Sequence, residues 1–349
     1  MSSVDVVIPC YRYGDLLPDT VRTVLEQPGV DVRVLIIDDA SGDGSADVAR
    51  RLAEEDPRVE ASVHEQNKGH IATFNEGVLD WAEAEYTLLI SADDVLTPGA
   101  LGRAVEMLDD NPGMAFVYGN APRWETWREK PAIRTGTWKP IVHKGHDWIR
   151  GRYEQASNPV YSPTVVARTE LQQEVGGYNP KMLHTSDLEM WLKLALHGDV
   201  GFVSGVDQGL FRVHEQNMSS AYYHNDHGLR DFEMRLLAFD AVLEQSIGIL
   251  PNTAELDKAV RRRLAREALL RLGRAYDRGE RLADDGAAMI EFARRTAGDL
   301  SKLPEWHTLR LRRALGPTIT PMLRPLVLTA AVRRLRQRSR DERLLQQGC

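Results

Sequence analysis

The sequence has almost no cysteine and no long apolar segment. Its 349 residues include two cysteines, Cys10 and Cys349, which are too few for a disulfide framework. Such scarcity is typical of a reducing compartment, so we expect a cytoplasmic protein. The first residues, MSSVDVVIP, lack the basic start and apolar core of a signal peptide. No run of about 18 apolar residues occurs, so we expect no membrane-spanning helix.

Negative charge exceeds positive charge outside the last part of the chain. The formal net charge is −7. Residues 301–349 contain 11 Lys and Arg against 3 Asp and Glu, so the other 300 residues carry a formal charge of −15. This acidic body argues against nucleic acid as a partner. Residues 320–343 place an apolar stretch before an arginine cluster, which favours either peripheral contact with an anionic membrane or helical packing, on the rest of the chain or in a homodimer.

Short apolar runs alternate with helical patterns over the first 120 residues. The runs are rich in β-branched residues and lie at 4–9, 32–38, 58–64, 86–91 and 114–119. Amphipathic patterns separate them, at 15–26, 45–55, 70–83 and 98–110. Ser45 is predicted as an N-cap and Pro98 as a first helical residue. This spacing predicts an α/β fold with a mostly parallel sheet flanked by helices.

The rhythm changes twice further along the chain. Residues 120–158 form an excursion that either borders a ligand or packs locally, and its tryptophans are Trp124, Trp127, Trp138 and Trp148. From about Tyr222 onward the pattern is helical throughout. We therefore predict one α/β domain followed by a helical C-terminal region, with boundaries at 1–222 (halves 1–120 and 121–222) and 223–349.

Acidic and turn residues follow the predicted strands where each strand ends. The first strand ends in IPCYRYGD, the second in IIDDASGDGS and the fourth in ISADDVL. Carboxyl ends of parallel strands meet at one edge of a sheet, which is where ligands bind in such folds. A calcium-binding EF-hand is rejected for the second segment, because Arg50 stands where the last acidic ligand is required.

Six motifs occur in a fixed order along the chain. They are VVIPCYRYG at 6–14, IDDASGDGS at 37–45, NKGHIATFNEG at 67–77, SADD at 91–94, TSDLEMWLKL at 185–194 and FRVHEQNMS at 211–219. Each motif is weakly specific, but together they resemble the inverting family 2 glycosyltransferases with the GT-A nucleotide-sugar-binding fold. The resemblance covers roughly residues 4–220, and it implies a GT-A domain with a helical C-terminal extension.

The resemblance assigns roles in donor binding. Pro9 and Tyr11 would line the base and the ribose. Asp39 would accept the imide N–H of uracil, a donor that thymine shares and cytosine lacks. Lys68 precedes a helix and has two interpretations, as a contact to the diphosphate or as a solvated lysine on a turn.

The segment SADD implies a cation site. By resemblance, Asp93 is a direct metal ligand and His214 is the second protein ligand, for Mn²⁺ or Mg²⁺. Ser91 departs from the family pattern, which more often has an acid there, but its hydroxyl can still bond the ribose. Ala92 lies beside it in the donor site. Arg212 would help to neutralise the charge that develops on the leaving diphosphate.

The segment TSDLEMW implies the catalytic base. The family usually has Glu-Asp before a helix, and here Ser186 replaces the glutamate while Asp187 is kept. Asp187 is therefore the predicted general base, and its other interpretation is an acid that stabilises a helix N-terminus. Glu189 is the reserve candidate. Trp191 is predicted to lie in the core rather than under an acceptor sugar.

These assignments predict a metal-dependent inverting glycosyltransferase with a UDP-sugar or dTDP-sugar donor. The acceptor would be a hydroxyl group of a saccharide, a lipid-linked saccharide or a natural product. The location would be the cytoplasm or the inner face of its membrane. Two alternatives stay open. A nucleotidyltransferase that forms sugar nucleotides would require a Gly-rich basic loop after strand one, which PCYRYGD does not supply. A catalytically inactive nucleotide-sugar-binding protein would not need to retain Asp93, Asp187 and His214 together.

Overall fold

The computed structural model describes residues 1–214, 217, 228–280, 282 and 284–322. The described residues form two units. The first lies within Met1–Ile149 and Pro159–Glu215, and the second within Arg150–Asn158 and Gln216–Leu345. The domain boundary predicted at 222 and much of the basic segment at 320–343 lie outside the described residues, so both stay predictions.

The first unit is built on strands whose apolar residues are mostly buried. In chain order the described strands are β1 Ser3–Cys10, β2 Asp31–Asp38, β3 Val59–Val63, β4 Tyr86–Leu89, β5 Val95–Leu96, β6 Met114–Asn120, β7 Arg123–Glu125, β8 Lys139–His143, β9 Val166–Arg168, β10 Asp199–Asp207 and β11 Gly209–Val213. Near-continuous apolar runs such as VVI in β1 and VLII in β2 are typical of strands with both faces covered. The predicted strands of the first 120 residues are all found.

Eight of these strands form one sheet, in the order β3-β2-β1-β4-β9-β6-β10-β8. Strand β1 pairs in parallel with β2 on one side and with β4 on the other. Strands β9 and β8 run antiparallel to their neighbours. The chain moves outward from β1 to β3 and then returns to β4, so the strand order reverses between β1 and β4. Such a switch point opens a crevice at the carboxyl ends of the strands.

Helices cover the sheet and form the second unit. Those of the first unit are α1 Leu17–Leu25, α2 Ser45–Glu55, α3 His70–Asn75, α4 Ala100–Asp110, α6 Thr169–Glu174 and α7 Ser186–His197, and α5 Gly145–Gln155 continues into the second unit. The second unit adds α8 Leu229–Gln245, α9 Thr253–Asp277, α10 Asp284–Ala297 and α11 Pro304–Ile319. The predicted mixed fold, a large sheet flanked by helices with further helices after it, is confirmed.

The core of the first unit forms where helices α1 and α4 press their apolar faces onto the sheet. Helix α1 buries Leu17, Val21 and Val24, which are spaced three and four residues apart. They belong to the same buried cluster as Ile8 of β1 and Leu101 of α4. Burial of a side chain of this size stabilises the fold by about 2 kcal/mol relative to exposure. This cluster holds rigid the strand ends that carry the acidic residues.

The helix predicted at 70–83 is divided in two. Helix α3 is followed directly by a π-helix, Glu76–Trp81. Gly77 in the π-helix lies so close to the sheet that an added Cβ would be 2.2 Å from Cγ1 of Val7 in β1. The close approach explains why glycine occupies this position. Single π-turns often occur near functional sites.

Two predicted helix starts are wrong. Gly44, with φ 93°, is the N-cap of α2, and Ser45 is its first residue. The Ser45 hydroxyl instead lies 2.6 Å from a carboxylate oxygen of Asp43 and accepts the backbone N–H of Gly14 at 2.9 Å. Helix α4 likewise starts after Gly99, so Pro98 precedes the helix.

The second unit is held by buried aromatic and charged side chains. Phe232 of α8 packs against Phe292 of α10, with ring centroids 5.8 Å apart. Arg312 of α11 pairs with Asp277 at the end of α9, at 2.8 Å. Among the described residues, no helix combines the length and the apolar content that crossing a membrane requires.

Candidate active site

The loops after β1 and β2 are tied together at the switch point. The backbone N–H of Arg12 donates to the Ser41 hydroxyl at 2.8 Å, and that hydroxyl donates to Asp38 at 2.5 Å. Arg12 itself is held at φ 61°, in the left-handed region that non-glycine residues seldom adopt. The ring of Tyr11 is left 42% exposed beside the half-buried Pro9. The arrangement therefore offers an exposed aromatic face at the rim of the sheet, where a base or ribose could stack.

Asp39 follows β2 and is buried in a ring of donors. Its Oδ1 accepts the backbone N–H of Lys68 at 2.7 Å, and its Oδ2 accepts that of Gly69 at 2.9 Å. The Nδ1 atom of His64 lies 2.8 Å from Oδ1. Burial by itself raises the pKa of Asp39, but hydrogen bonds from His64, Lys68 and Gly69 outweigh it and hold the pKa below its ordinary value. Asp39 is therefore a rigidly held, ionised acceptor.

Lys68 contacts a glutamate. Its ammonium lies 2.7 Å from Oε2 of Glu76, and the same oxygen lies 2.9 Å from Nε2 of His64. The Lys68 side chain is half exposed. A diphosphate contact would therefore have to share this ammonium with Glu76, or displace it.

Helix α1 contacts the segment after β4 through a side-chain hydroxyl. The hydroxyl of Thr20 lies 2.8 Å from the backbone oxygens of both Ala92 and Asp94. Asp93 and Asp94 are both buried, and Ser91 is partly exposed. Burial raises the pKa of Asp94 well above its ordinary value, and the adjacent charge of Asp93 raises it further. Two neighbouring acids in this setting favour an added positive charge.

Asp93 and His214 meet although 121 residues separate them in the chain. Nε2 of His214 lies 3.0 Å from Oδ2 of Asp93. Adjacent ligands of an octahedral cation, each at about 2.1 Å from it, also lie about 3 Å apart, so the pair fits a divalent ion. The ring of Tyr13 packs edge-on against His214, with centroids 5.2 Å apart. Burial, together with Asp93 and Asp94, raises the pKa of Tyr13 and keeps its phenol neutral.

Two side chains at this point could bind a metal ion, Asp93 and His214. They are fewer than the ligands that complete the coordination of a cation. Within the described parts of the chain, no group of three or more His, Cys, Asp and Glu side chains is arranged to hold a metal ion. Mg²⁺ typically takes one or two protein carboxylates and completes its coordination with substrate phosphates and water. Asp93 and His214 therefore suit a cation that arrives with a phosphorylated ligand.

Arg212 connects the candidate metal pair to the excursion. Its backbone N–H donates to Asp94 at 2.8 Å, and its guanidinium pairs with Asp19 of α1 at 2.8 Å. Trp124 of the excursion stacks on that guanidinium, with 4.7 Å between Cζ and the ring centroid. Strand β11, which carries Arg212, lies between β5 and β7 in a three-stranded sheet. One tryptophan of the excursion thus borders the site, while Trp148 lies in the core and Trp127 is exposed.

Asp187 lies in the first turn of α7, as predicted. The side chain is partly exposed, and its Oδ1 accepts the backbone N–H of Leu188 at 2.7 Å. The segment before α7 is attached to α3, because Nε2 of His70 lies 2.8 Å from the backbone oxygen of Leu183 and the amide of Asn75 donates to the backbone oxygen of Tyr178 at 2.8 Å. The start of α7 therefore lies on the side of the sheet where α3 begins.

The reserve candidate Glu189 is in a different environment. It is buried, lies 3.5 Å from the ammonium of Lys193 and accepts a hydrogen bond from Asn179 at 3.3 Å. These contacts indicate a structural role for Glu189. Trp191 is buried beside Phe116, with ring centroids 5.6 Å apart, so its predicted place in the core is correct.

Several residues of the site were not predicted. His64 lies outside the six motifs, and Glu76 lies within the third motif but was given no role. Asp19 resembles any acid in the first turn of a helix. Tyr13 lies within the first motif, but nothing in the sequence pairs it with a histidine 201 positions away. The signal that was available is the position of His64 directly after β3, at the edge of the sheet where the other strand ends carry acids.

Part of this sequence matches a known protein family. Residues 5–167 match the model of glycosyl transferase family 2. The GalNAc(5)-diNAcBac-PP-undecaprenol beta-1,3-glucosyltransferase of Campylobacter jejuni is 29% identical over 121 residues, which are 34% of this chain and 38% of that enzyme. The chain spans between about a third and two thirds of the length of the curated relatives that it matches best.

Two solved structures share the fold over most of their length. TarS 1–349 of Staphylococcus aureus, in complex with UDP-GlcNAc, superposes with a TM-score of 0.63 at 17% identity and covers 93% of this chain and 92% of its own. The mannosyltransferase PcManGT of Pyrobaculum calidifontis, in complex with GDP-Man and Mn²⁺, gives 0.53 at 17% identity and covers 93% and 86%. The predicted GT-A fold is confirmed. Residues 5–167, just under half of the chain, therefore form a glycosyl transferase family 2 domain.

Proposed function

We propose that this chain transfers a sugar from a UDP-sugar or dTDP-sugar to a hydroxyl acceptor, with inversion at the anomeric carbon and with a divalent cation. The observation that carries the proposal is the meeting of Asp93 and His214 at 3.0 Å beside the switch point of the sheet. Nucleotide ligands bind at such switch points in open α/β sheets. TarS, which shares the fold, holds UDP-GlcNAc.

The donor would lie across the rim from Asp39 to Asp93. Tyr11 and Pro9 offer an apolar surface to the base and ribose, and Asp39 is held ionised to accept an N–H of the base. Ser91 and Ala92 follow β4 next to Asp93, where the ribose and diphosphate would pass.

Asp93 and His214 would hold Mn²⁺ or Mg²⁺, with the diphosphate supplying further oxygens. The bound cation would supply electrostatic stabilisation of the charge on the departing diphosphate. PcManGT, with the same fold, holds Mn²⁺. Arg212 lies next to this pair and is oriented by Asp19 and Trp124, so its charge also acts near the diphosphate.

Asp187 is the proposed general base. It would take the proton of the acceptor hydroxyl as the oxygen forms its bond to the anomeric carbon, while the bond from that carbon to the diphosphate breaks. A single displacement of this kind inverts the anomeric configuration. Asp187 is partly exposed, whereas Glu189 is buried against Lys193, so of these two acids only Asp187 is open to an acceptor.

The acceptor is proposed by class. The Campylobacter relative acts on a saccharide linked to undecaprenyl diphosphate, which favours a saccharide, and a lipid-linked one in particular. A natural-product hydroxyl is the other candidate. A lipid-linked acceptor would bring the chain to the inner face of the cytoplasmic membrane, and the basic segment at 320–343 could contribute to that contact or to a homodimer.

The proposal is tested by measuring nucleoside diphosphate release from UDP-, dTDP- and GDP-sugars, and pyrophosphate release from nucleoside triphosphates with sugar phosphates, each with Mn²⁺, Mg²⁺ or EDTA. We expect cation-dependent UDP or dTDP release with a saccharide acceptor. Pyrophosphate release from a nucleoside triphosphate and a sugar phosphate would instead identify a nucleotidyltransferase. Binding of a sugar nucleotide without turnover over an acceptor panel would identify a binding protein.

Two variants assign the roles. Asp187→Asn should abolish transfer and leave UDP affinity nearly unchanged, whereas Glu189→Gln, the matched control in the same helix, should retain transfer. Asp93→Ala should abolish cation-dependent UDP binding measured by calorimetry. Full transfer activity in Asp187→Asn would refute the assignment of the base.

A further inference from the structure

Four side chains, two of them acids, contact one another along one connected path. Asp39 is 2.8 Å from Nδ1 of His64, Nε2 of His64 is 2.9 Å from Glu76, and Glu76 is 2.7 Å from the ammonium of Lys68. His64 and Asp39 have side chains that are 3% and 5% exposed. The path starts at Asp39, the proposed base-binding acid, and ends at Lys68, the lysine that precedes α3. One chain of contacts therefore connects these two residues.

His64 contacts two acids, Asp39 and Glu76, through its two ring nitrogens. Burial by itself raises the pKa of Glu76, but the hydrogen bond from Lys68 and the interactions with His64 outweigh it and hold the pKa below its ordinary value. Asp39 is shifted in the same direction. An ionised carboxylate can only accept a hydrogen bond, so Nδ1 of His64 is the donor in the contact to Asp39. The ring is thereby fixed in position and orientation.

The contacts use up most of the accepting capacity of Asp39. An ionised carboxylate has about four acceptor positions, two on each oxygen. Oδ1 accepts from His64 and from the N–H of Lys68, and Oδ2 accepts from the N–H of Gly69. One position is left, and it is on Oδ2. His64 is the one side chain among these donors, since the other two are backbone groups.

We propose that His64 is a specificity-determining positioning residue, which fills Oδ1 of Asp39 so that the site accepts a base with a single imide N–H and rejects one that needs both carboxylate oxygens. This inference rests on the proposed function, in which Asp39 reads the base. Uracil and thymine present one imide donor. Guanine presents two adjacent donors, N1–H and N2–H, which pair with a carboxylate through both oxygens, and cytosine presents no donor at N3. The fold alone does not set this choice, because PcManGT holds GDP-Man.

The two ring contacts can be separated by substitution. In His64→Asn the side-chain amide nitrogen takes the place of Nδ1, which keeps the bond to Asp39 and removes the one to Glu76. In His64→Gln the amide nitrogen takes the place of Nε2, with the opposite result. The affinities of UDP, GDP and CDP for wild type and both variants are measured by calorimetry with Mn²⁺, and folding is followed by thermal unfolding.

We expect wild type and His64→Asn to prefer UDP over GDP by the same ratio, within about threefold. In His64→Gln the ratio should fall about tenfold or more, because losing a charge-assisted hydrogen bond changes affinity by that order. If His64→Gln does not fold, His64→Leu, which has the shape of the asparagine variant without its donor, replaces it with the same expected loss.

A ratio of UDP to GDP affinity that is equal in the donor-lacking variant and in His64→Asn would overturn the proposal and leave His64 a structural residue. That result leaves the proposed function intact, since UDP still binds. Wild-type protein that binds none of the three nucleotides would overturn the proposed function and this inference together.

Discussion

Replacement of Gly77 by alanine tests how the packing of the π-helix controls the nucleotide site. An added Cβ at Gly77 would lie 2.2 Å from Cγ1 and 2.8 Å from Cγ2 of Val7 in β1. Carbon atoms in contact are normally separated by about 3.5–4.0 Å, so the π-helix would have to move by more than 1 Å, roughly, from the sheet. Glu76 precedes Gly77 and would move with it, away from His64.

Two opposing contributions to the free energy of unfolding decide whether Gly77→Ala stabilises or destabilises the protein. Alanine in place of glycine inside a helix gains about 0.5–1 kcal/mol in chain entropy. Overpacking against a rigid strand costs about 1–3 kcal/mol, and the overlap here is severe. We therefore expect Gly77→Ala to lower the free energy of unfolding by about 2 kcal/mol and to weaken UDP binding, because the contact between Glu76 and His64 is disturbed.

The assay is a double-mutant cycle with Val7→Ala, followed by urea unfolding and by UDP calorimetry. Val7→Ala alone removes two methyl groups and should cost about 2 kcal/mol. The double variant should be no less stable than Val7→Ala, because the new methyl group occupies the vacated space, and its UDP affinity should recover. Additive losses of stability in the double variant would refute the reasoning, since they would show that the two positions do not clash.

Three further outcomes are expected. Glu189→Gln should lower the free energy of unfolding by only about 1 kcal/mol, because the ammonium of the buried Lys193 loses the charge at 3.5 Å but keeps its hydrogen bond to the backbone oxygen of Gly177 at 2.6 Å; equilibrium unfolding measures this, and a loss of transfer without a loss of stability would contradict the structural role. Because the pKa of Asp39 is held below its ordinary value of 3.8, its contribution to stability is present above that pH and is lost as the pH falls through the lowered pKa; urea unfolding between pH 2 and 7 should therefore show a flatter acid limb for Asp39→Asn than for wild type. Asp207→Ala should expose the excursion to proteolysis, since the buried carboxylate of Asp207 accepts the backbone N–H of Arg134 at 2.7 Å and its guanidinium at 2.5 Å, and an unchanged cleavage pattern would show that other contacts hold this segment.

The strands and the acidic rim could be predicted from the sequence because they depend on local patterns. Apolar runs of β-branched residues appear at regular spacing, and parallel strands place the residues after them at one edge. Asp39 and Asp93 follow β2 and β4, where that pattern puts them, whereas α7 was predicted from its amphipathic pattern and the role of Asp187 from its motif. The meeting of Asp93 with His214 came from motif order rather than from any local pattern.

What the sequence did not reveal depends on contacts between distant segments. The π-helix is hidden because Glu76–Trp81 has the composition of an ordinary helix, and the close approach of Gly77 to Val7 is visible only when the sheet is in place. Ser45 has the chemistry of an N-cap, but its hydroxyl is used by Asp43 and Gly14. The path from Asp39 through His64 to Lys68 likewise forms only when three separate segments of the chain come together.

The three-stranded sheet has a consequence for the order in which the molecule forms. Leu210 of β11 pairs with Val95 of β5, directly after Asp93. Closing a loop of 121 residues costs about 4 kcal/mol in chain entropy, and a pairing of this length offers few hydrogen bonds in return. Asp93 and His214 are therefore expected to meet late in folding, after the large sheet has brought both ends together. Slippage of this short pairing by one residue would turn His214 to the opposite face, so a nascent chain brings Asp93 and His214 together only once β11 is correctly paired.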